Sequence, residues 1–308
     1  LPTADCRLPT AARFPPRVPP PSQPAVDHAV LLVLLFAAAL HAGWNALIKR
    51  DDDREAAALS VAIGGGVVAA ALLPFAGPMN AAAIPFVLGT SLLHILYYAL
   101  VAKAYKGADL SVTYPLMRGL APLLVTAVGV VLVGELPGPL AMLGILLVSG
   151  GILALGLEGL RAGRGGRPGV GAALINAAVI AAYTLCDGIG VRASGSPVAY
   201  LAWLSIASAL TNAGWTLWRG EAGIFRRLAA HRAIGLIGGT MSITSYGLAL
   251  WAMTVAPIGL VAAIRESSVL FATAMGAFAL NERFGAGRWT AAAVVATGLA
   301  AVKLGAAG

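Results

Sequence analysis

Two arginines, Arg118 and Arg265, sit inside otherwise apolar stretches of this chain, 147 residues apart. A guanidinium held in hydrocarbon costs at least about 2.5–3.5 kcal/mol on insertion scales, so each must face a partner, water or the interior of a helix bundle. There it can attract a carboxylate or another anionic group through charge-assisted hydrogen bonds. Glu266 follows Arg265 directly, yet neighbours on a helix diverge by about 100°, so a cross-helix partner is expected for one of the two. Asp187 lies four residues after Tyr183 in another apolar stretch. Inside a low-dielectric wall it can exchange a proton; the competing reading is a helix-end carboxylate beside Arg192. His41 and Asn45 share a helix face, with Trp44 between them and Lys49 one turn on, and His94 and Tyr98 repeat the four-residue spacing. The expected site therefore has Arg118, Arg265, Trp44, Asn45, Tyr98 and Trp251 against a bound solute, and His41, Asp187 and Glu266 as groups that move a proton. Interhelical hydrogen bonding is the alternative fate of His41, and of the hydroxyls at Thr240, Ser242, Thr244, Ser245 and Tyr246.

The elements that must hold these residues are lipid-embedded helices. Apolar residues make up 59% of the chain and charged ones 11%, against about 25% charged in soluble domains. Mean hydropathy is +0.84. Residues 56–102 contain no Asp, Glu, Lys or Arg, which leaves no water-facing stripe for a soluble helix. The net charge of +8 is scattered through short connections, where it reads as a topology signal and not as a nucleic-acid surface. Cys6 and Cys186 lack metal-ligand spacing, and neither a metal nor any other cofactor is expected. Residues 1–27, with eight prolines, read as a disordered extension without the apolar core of a signal peptide.

A span needs about 20 apolar residues. Cutting at charge, Pro and Gly gives ten segments: 28–48, 56–76, 84–104, 109–133, 138–157, 169–191, 197–218, 232–254, 257–281 and 288–305. The fold expected is thus an all-α membrane protein of ten transmembrane helices. Residues 114–157 align without a gap on 261–304, pairing Arg118 with Arg265, Thr126 with Thr273, Gly129 with Gly276, Glu135 with Glu282, Gly138 with Gly285 and Gly151 with Gly298. Two five-helix halves, 28–157 and 169–305, flank a linker at 158–168. Because five is odd, the second half must cross in the opposite sense, so the repeat is inverted and its site is expected near the pseudo-two-fold axis. Both arginines come about 12–14 Å into their helices from opposite faces.

Glu135 and Glu282 close matching helices, where a carboxylate wants a compensating partner; both are read as structural. Gly64-Gly65-Gly66 and Gly150-Gly151 permit close helix approach. Pro115 and Pro122 bracket Arg118 and are expected to bend or loosen its helix, freeing carbonyls near the guanidinium. No GxSxG, HExxH or GxxxxGK[ST] motif is present, so no enzyme and no nucleotide-driven pump is indicated.

HAGWNALIK at 41–49, GELPGPLAMLGILLVSGGILAL at 134–155 and NERFGAGRWTAAAVVATGLAAVKL at 281–304 resemble the drug/metabolite transporter superfamily, in its ten-helix EamA-like branch. The family's Gly-Glu-Arg turn reads Glu135-Leu136-Pro137 in the first copy and Asn281-Glu282-Arg283 in the second. The resemblance implies a secondary transporter of small organic metabolites, commonly an exporter of amino acids or related compounds; the expected setting is the inner or plasma membrane, as a monomer or homodimer, with protons or a counter-substrate as the coupled partner. It also implies cytoplasmic termini. The positive-inside rule implies the reverse, since fourteen basic residues lie on the side away from the termini and five on the terminal side. Export of a carboxylate-bearing metabolite is the leading expectation; efflux of lipophilic cations through Glu266 and Asp187, and a non-transporting scaffold with closed ion pairs, are its rivals.

Overall fold

The computed structural model describes residues 26–220, 223–279 and 286–305; most of the proline-rich tail, with Glu282 and Arg283, lies outside the described residues. Lipid offers no hydrogen bonds, so backbone groups must be satisfied within each segment, and the regular structure among the described residues is helical. In chain order the helices are α1 (His28–Arg50), α2 (Arg54–Leu72), α3 (Ile84–Gly107), α4 (Leu110–Leu132), α5 (Pro139–Arg161), α6 (Arg167–Ser194), α7 (Pro197–Trp218), α8 (Ile224–Ala230), α9 (Arg232–Val255), α10 (Ile258–Arg265), α11 (Ser268–Ala279) and α12 (Ala286–Gly305). Among the described residues seven of them, α1–α6 and α9, are long and apolar enough to cross a bilayer. Asp27, Asp53, Asp109 and Ser196 cap α1, α2, α4 and α7 through side-chain oxygens that accept first-turn amides, which stops each helix at a polar residue.

Three boundaries differ from the sequence expectation. The ninth segment, expected as one helix, is interrupted between α10 and α11. There the amides of Glu266, Ser267 and Val269 bond back three residues, to Ala263, Ile264 and Glu266, a tightened turn that breaks the α ladder. The connection between the seventh and eighth segments holds a further short helix, α8. Finally, α5 runs on to Arg161 and α6 starts at Arg167, so both helices reach into the stretch expected as a linker. On α4 the prolines stay within one helix, 110–132.

Packing is the inverse of a soluble protein's. Large side chains such as Leu32, Phe36, Leu92, Val131, Ile175 and Leu236 are exposed, while the buried set is rich in Ala, Gly and Ser. Between helices in lipid, small residues allow the close approach on which dispersion contacts depend. Where α5 crosses α12, a Cβ added to Gly298 would lie 2.8 Å from the Val148 nitrogen and 2.9 Å from the Gly144 oxygen, and one on Gly151 would meet Val295 at 3.1 Å. Gly64 and Gly65 similarly meet Gly235 and Gly239 where α2 crosses α9. The main helix pairings are α5–α12, α3–α6, α1–α9, α2–α9, α3–α7, α2–α7, α4–α5, α4–α6, α4–α10 and α1–α11. Helices α1–α5 and α6–α12 interleave, and α4 meets α10.

Candidate functional site

Where α4 meets α10, the Arg118 guanidinium grips Glu266 with two contacts: Nε donates to Oε2 at 3.0 Å, and Nη2 lies 2.9 Å from Oε1. The side chains are 12% and 6% exposed, so this is a buried bidentate pair, the geometry in which a guanidinium best compensates a carboxylate. The turn between α10 and α11 presents Glu266 to α4. Arg265, one residue earlier, points elsewhere. Its guanidinium carbon lies 5.0 Å from the centre of the Tyr246 ring on α9, a cation–π contact. Among the described residues it makes no ion pair.

Both arginines line one small cavity with Pro122, Tyr183, Thr184 and Glu266. Its volume is about 10 Å³, room for roughly one water. Asp187 on α6 is fully buried nearby and accepts hydrogen bonds from Thr90 of α3 at 2.7 Å, Tyr200 of α7 at 2.8 Å and Tyr246 of α9. It lies inside α6, before the helix ends at Ser194. Tyr246 therefore serves two charges at once, carrying Arg265 on its ring face and Asp187 on its hydroxyl. Three hydroxyl donors from three helices satisfy the carboxylate, which a buried charge requires.

The other expected residues lie around this centre. His41 stacks edge-on against Trp44 at 5.0 Å and is within electrostatic reach of both arginines. Asn45 spends its amide on the His41 carbonyl of its own helix, at 2.7 Å, while the Trp44 indole nitrogen is buried without a partner. His94 meets Ser208 at 3.2 Å through Nδ1 and joins Tyr97, Tyr98 and Tyr183 in a chain of edge-to-face rings between α3 and α6. Tyr98 is 46% and Trp251 38% exposed. Neither Trp251, Tyr98, Asn45, Trp44 nor His41 lines the arginine cavity.

Glu135 has the compensating partners its place demands. Arg192 Nη1 lies 2.5 Å from it, and it accepts the Ile258 amide of α10 at 2.7 Å. Arg192 also donates to the Met253 and Ala256 carbonyls at the end of α9, at 2.7 and 3.0 Å. One buried arginine thus ties α6, α9, α10 and the α4–α5 connection together. Sequence reasoning used Arg192 as a topology marker and as the sign of a helix end near Asp187, and it missed Thr90 and Tyr200 altogether. Their one signal is a requirement: a carboxylate at position 187 needs donors on neighbouring helices. Tyr246 was read as a tie between helices, as Ser245 is, bonding the Ala37 carbonyl at 2.7 Å.

Comparison with known proteins adds a family match over part of the chain and a likeness of fold. Residues 167–304 match the EamA-like transporter family. One solved crystal structure superposes over 90% of this chain and 96% of its own, with a TM-score of 0.64 and 20% identity, a likeness of fold. No curated protein matches the chain.

Proposed function

We propose, on the premise that the second half of this chain belongs to the EamA-like transporter family of the drug/metabolite transporter superfamily, that the protein exports a small carboxylate-bearing metabolite such as an amino acid. It is a multi-pass protein of the cell membrane. In this reading it is a secondary transporter, with ten crossings arranged as two inverted halves that rock about Arg118 and Arg265.

The packing supports the inverted repeat. Taking α10 with α11 as the ninth crossing and α12 as the tenth, each helix is exchanged with its counterpart five crossings away. The pair α3–α6 then becomes α9–α1, α2–α9 becomes α7–α3, α4–α6 becomes α11–α1, and α4–α5 becomes α11–α12. The pairs α2–α7, α5–α12 and α4–α10 map onto themselves. Each of these contacts is present. Pairings that return to themselves on exchange are what a two-fold axis in the membrane plane requires.

The observation that carries the substrate class is the unequal commitment of the arginines. Arg118 is neutralised by Glu266, while Arg265 borders the cavity with only an aromatic face beneath it. A substrate carboxylate offers Arg265 the charge-assisted bonds that the protein leaves unmade. A cavity the size of one water admits no metabolite, so the halves must part further for binding. Asp187 supplies the proton site, joined to the anion site through Tyr246. Efflux of lipophilic cations is the weaker reading, because Glu266 is taken by Arg118 and Asp187 by three hydroxyls. A scaffold with every charge closed is weaker too, because among the described residues Arg265 stands outside an ion pair.

Screening growth inhibition by amino acids and organic acids in overproducing cells would identify the metabolite. In vesicles, Arg265→Ala is then expected to abolish its transport. Full transport by a variant that inserts normally would contradict the proposal.

A further inference from the structure

Away from the buried site, the α1–α2 connection meets α8 in a charged cluster that the transport reading does not use. Asp53 accepts from Nε and Nη2 of Arg227, at 2.7 Å each. His231, between α8 and α9, faces an acceptor with each ring nitrogen: Nδ1 is 2.6 Å from the Arg227 carbonyl oxygen and Nε2 is 3.0 Å from Asp51 Oδ1. That Asp51 oxygen already accepts the Asp53 amide at 2.8 Å. A carbonyl oxygen can only accept. Both ring nitrogens must therefore donate, and only the imidazolium carries two protons.

From this geometry we infer that the α1–α2 connection and the α8–α9 corner form a proton-responsive clamp between the two halves, shut while His231 is an imidazolium and loosened when it loses a proton. Loss of either proton sets a bare ring nitrogen against an acceptor oxygen and leaves Asp51 without its cation. The charged groups around the ring are Asp51 and Asp53 from the α1–α2 connection and Arg227 from α8, with Arg232 beside it on α9. Glu55, at the start of α2, is turned toward Arg219, just past the end of α7, at 3.9 Å.

The affinity of His231 for its proton is raised above the ordinary 6.5, first by its bond to the Arg227 carbonyl; burial opposes this and Asp51 adds to it. The sign follows from linkage. A raised value in the shut state stabilises that state fully below about pH 6.5 and is lost as pH climbs through the raised value. The clamp is therefore shut in acid and opens on the alkaline side. It joins residues of the first half to residues of the second, so it gates the end of the bundle at which the α1–α2 connection lies. None of its residues lines the arginine cavity.

The test is a distance. Spin labels replace the exposed Asp52 and Phe225, as Asp52→Cys and Phe225→Cys, in a chain freed of its two cysteines by Cys6→Ser and Cys186→Ala and reconstituted in liposomes. The clamp requires a short distance in acid and a longer population on the alkaline side, with the long-to-short ratio rising by up to about ten-fold per pH unit. His231→Gln should show the long distance at every pH. Nitrogen NMR of histidine-labelled protein across pH, with His231→Gln to assign the signal, should find the ring losing its second proton above the free value of ~6.5. That titration decides the matter even if the variant folds poorly. A pH-independent distance, or a His231 midpoint at or below ~6.5, overturns the clamp and leaves the carboxylate reading untouched.

Discussion

Arg118 and Arg265 occupy matching positions in the aligned segments 114–157 and 261–304, yet one is closed into a bidentate pair and the other is left over an aromatic ring. The difference traces to the next residue. Glu266 follows Arg265, and its counterpart after Arg118 is Gly119. A Cβ on Gly119 would lie 2.8 Å from Leu153 Cγ and 3.0 Å from the Leu153 nitrogen, so the first copy has no room for a carboxylate there. Among the described residues, two guanidinium groups thus meet at the junction of α4 and α10 with one carboxylate, Glu266, bonded to Arg118. The backbone diverges as well. The first copy runs through Pro115 and Pro122 as one helix, whereas the second, without a proline between 258 and 279, breaks into α10 and α11. That break presents Glu266 to the other half, and the surplus cation is the consequence.

The largest effect is expected from breaking the closed pair. Glu266→Ala leaves Arg118 buried without its partner and should cost about 3–5 kcal/mol, read as loss of thermal stability in detergent. Arg118→Met with Glu266→Met should recover most of it, because an apolar pair of similar volume carries no uncompensated charge. A Glu266→Ala variant as stable as the parent would break the comparison.

A smaller effect sharpens the other side of it. Tyr246→Phe keeps the ring under Arg265 and removes one donor to Asp187, a loss of about 1.5–3 kcal/mol for a bond to a charged group. Tyr246→Leu removes the cation–π contact as well, about 0.5–2 kcal/mol more. Equal stability of the Phe and Leu variants would show that the ring does not hold Arg265.

The smallest effect belongs to a closed pair outside the membrane. Arg227 holds the Asp53 carboxyl near about 2, first through its side-chain hydrogen bonds and then with the help of the Ala56 amide. A depressed carboxylate stabilises above its ordinary value of 3.8 and loses that contribution as pH falls through about 2. With side chains 31% and 36% exposed, solvent screens the pair, and Asp53→Asn should cost only about 0.2–1 kcal/mol at neutral pH. The cost should vanish in strong acid, as comparison of parent and variant melting curves across pH would reveal.

Much of the helical frame was legible because apolar run length and charge placement are local properties. The expected 109–133 became α4 at 110–132, and 197–218 coincides with α7. The need of Glu135 for a compensating partner was legible for the same reason, since a helix end disfavours its charge. What could not be read depends on which helices touch. Glu266 finds Arg118 across 148 positions of chain, and Asp187 draws its donors from α3, α7 and α9. The break after Arg265 carries no Pro or Gly to announce it; a tertiary ion pair there competes with helix propensity. Periodicity marks a face as buried and is silent about what it is buried against.

The central claim is that Arg265 is the cation left for the substrate. Its most direct test compares vesicle uptake of the transported acid with that of its uncharged amide, in the parent and in Arg265→Gln. A bond to an ionised group worth about 1.5–3 kcal/mol corresponds to a preference of roughly ten- to a hundred-fold for the acid in the parent, and the account predicts that Arg265→Gln erases it. Undiminished preference in a correctly inserted Arg265→Gln protein would contradict it.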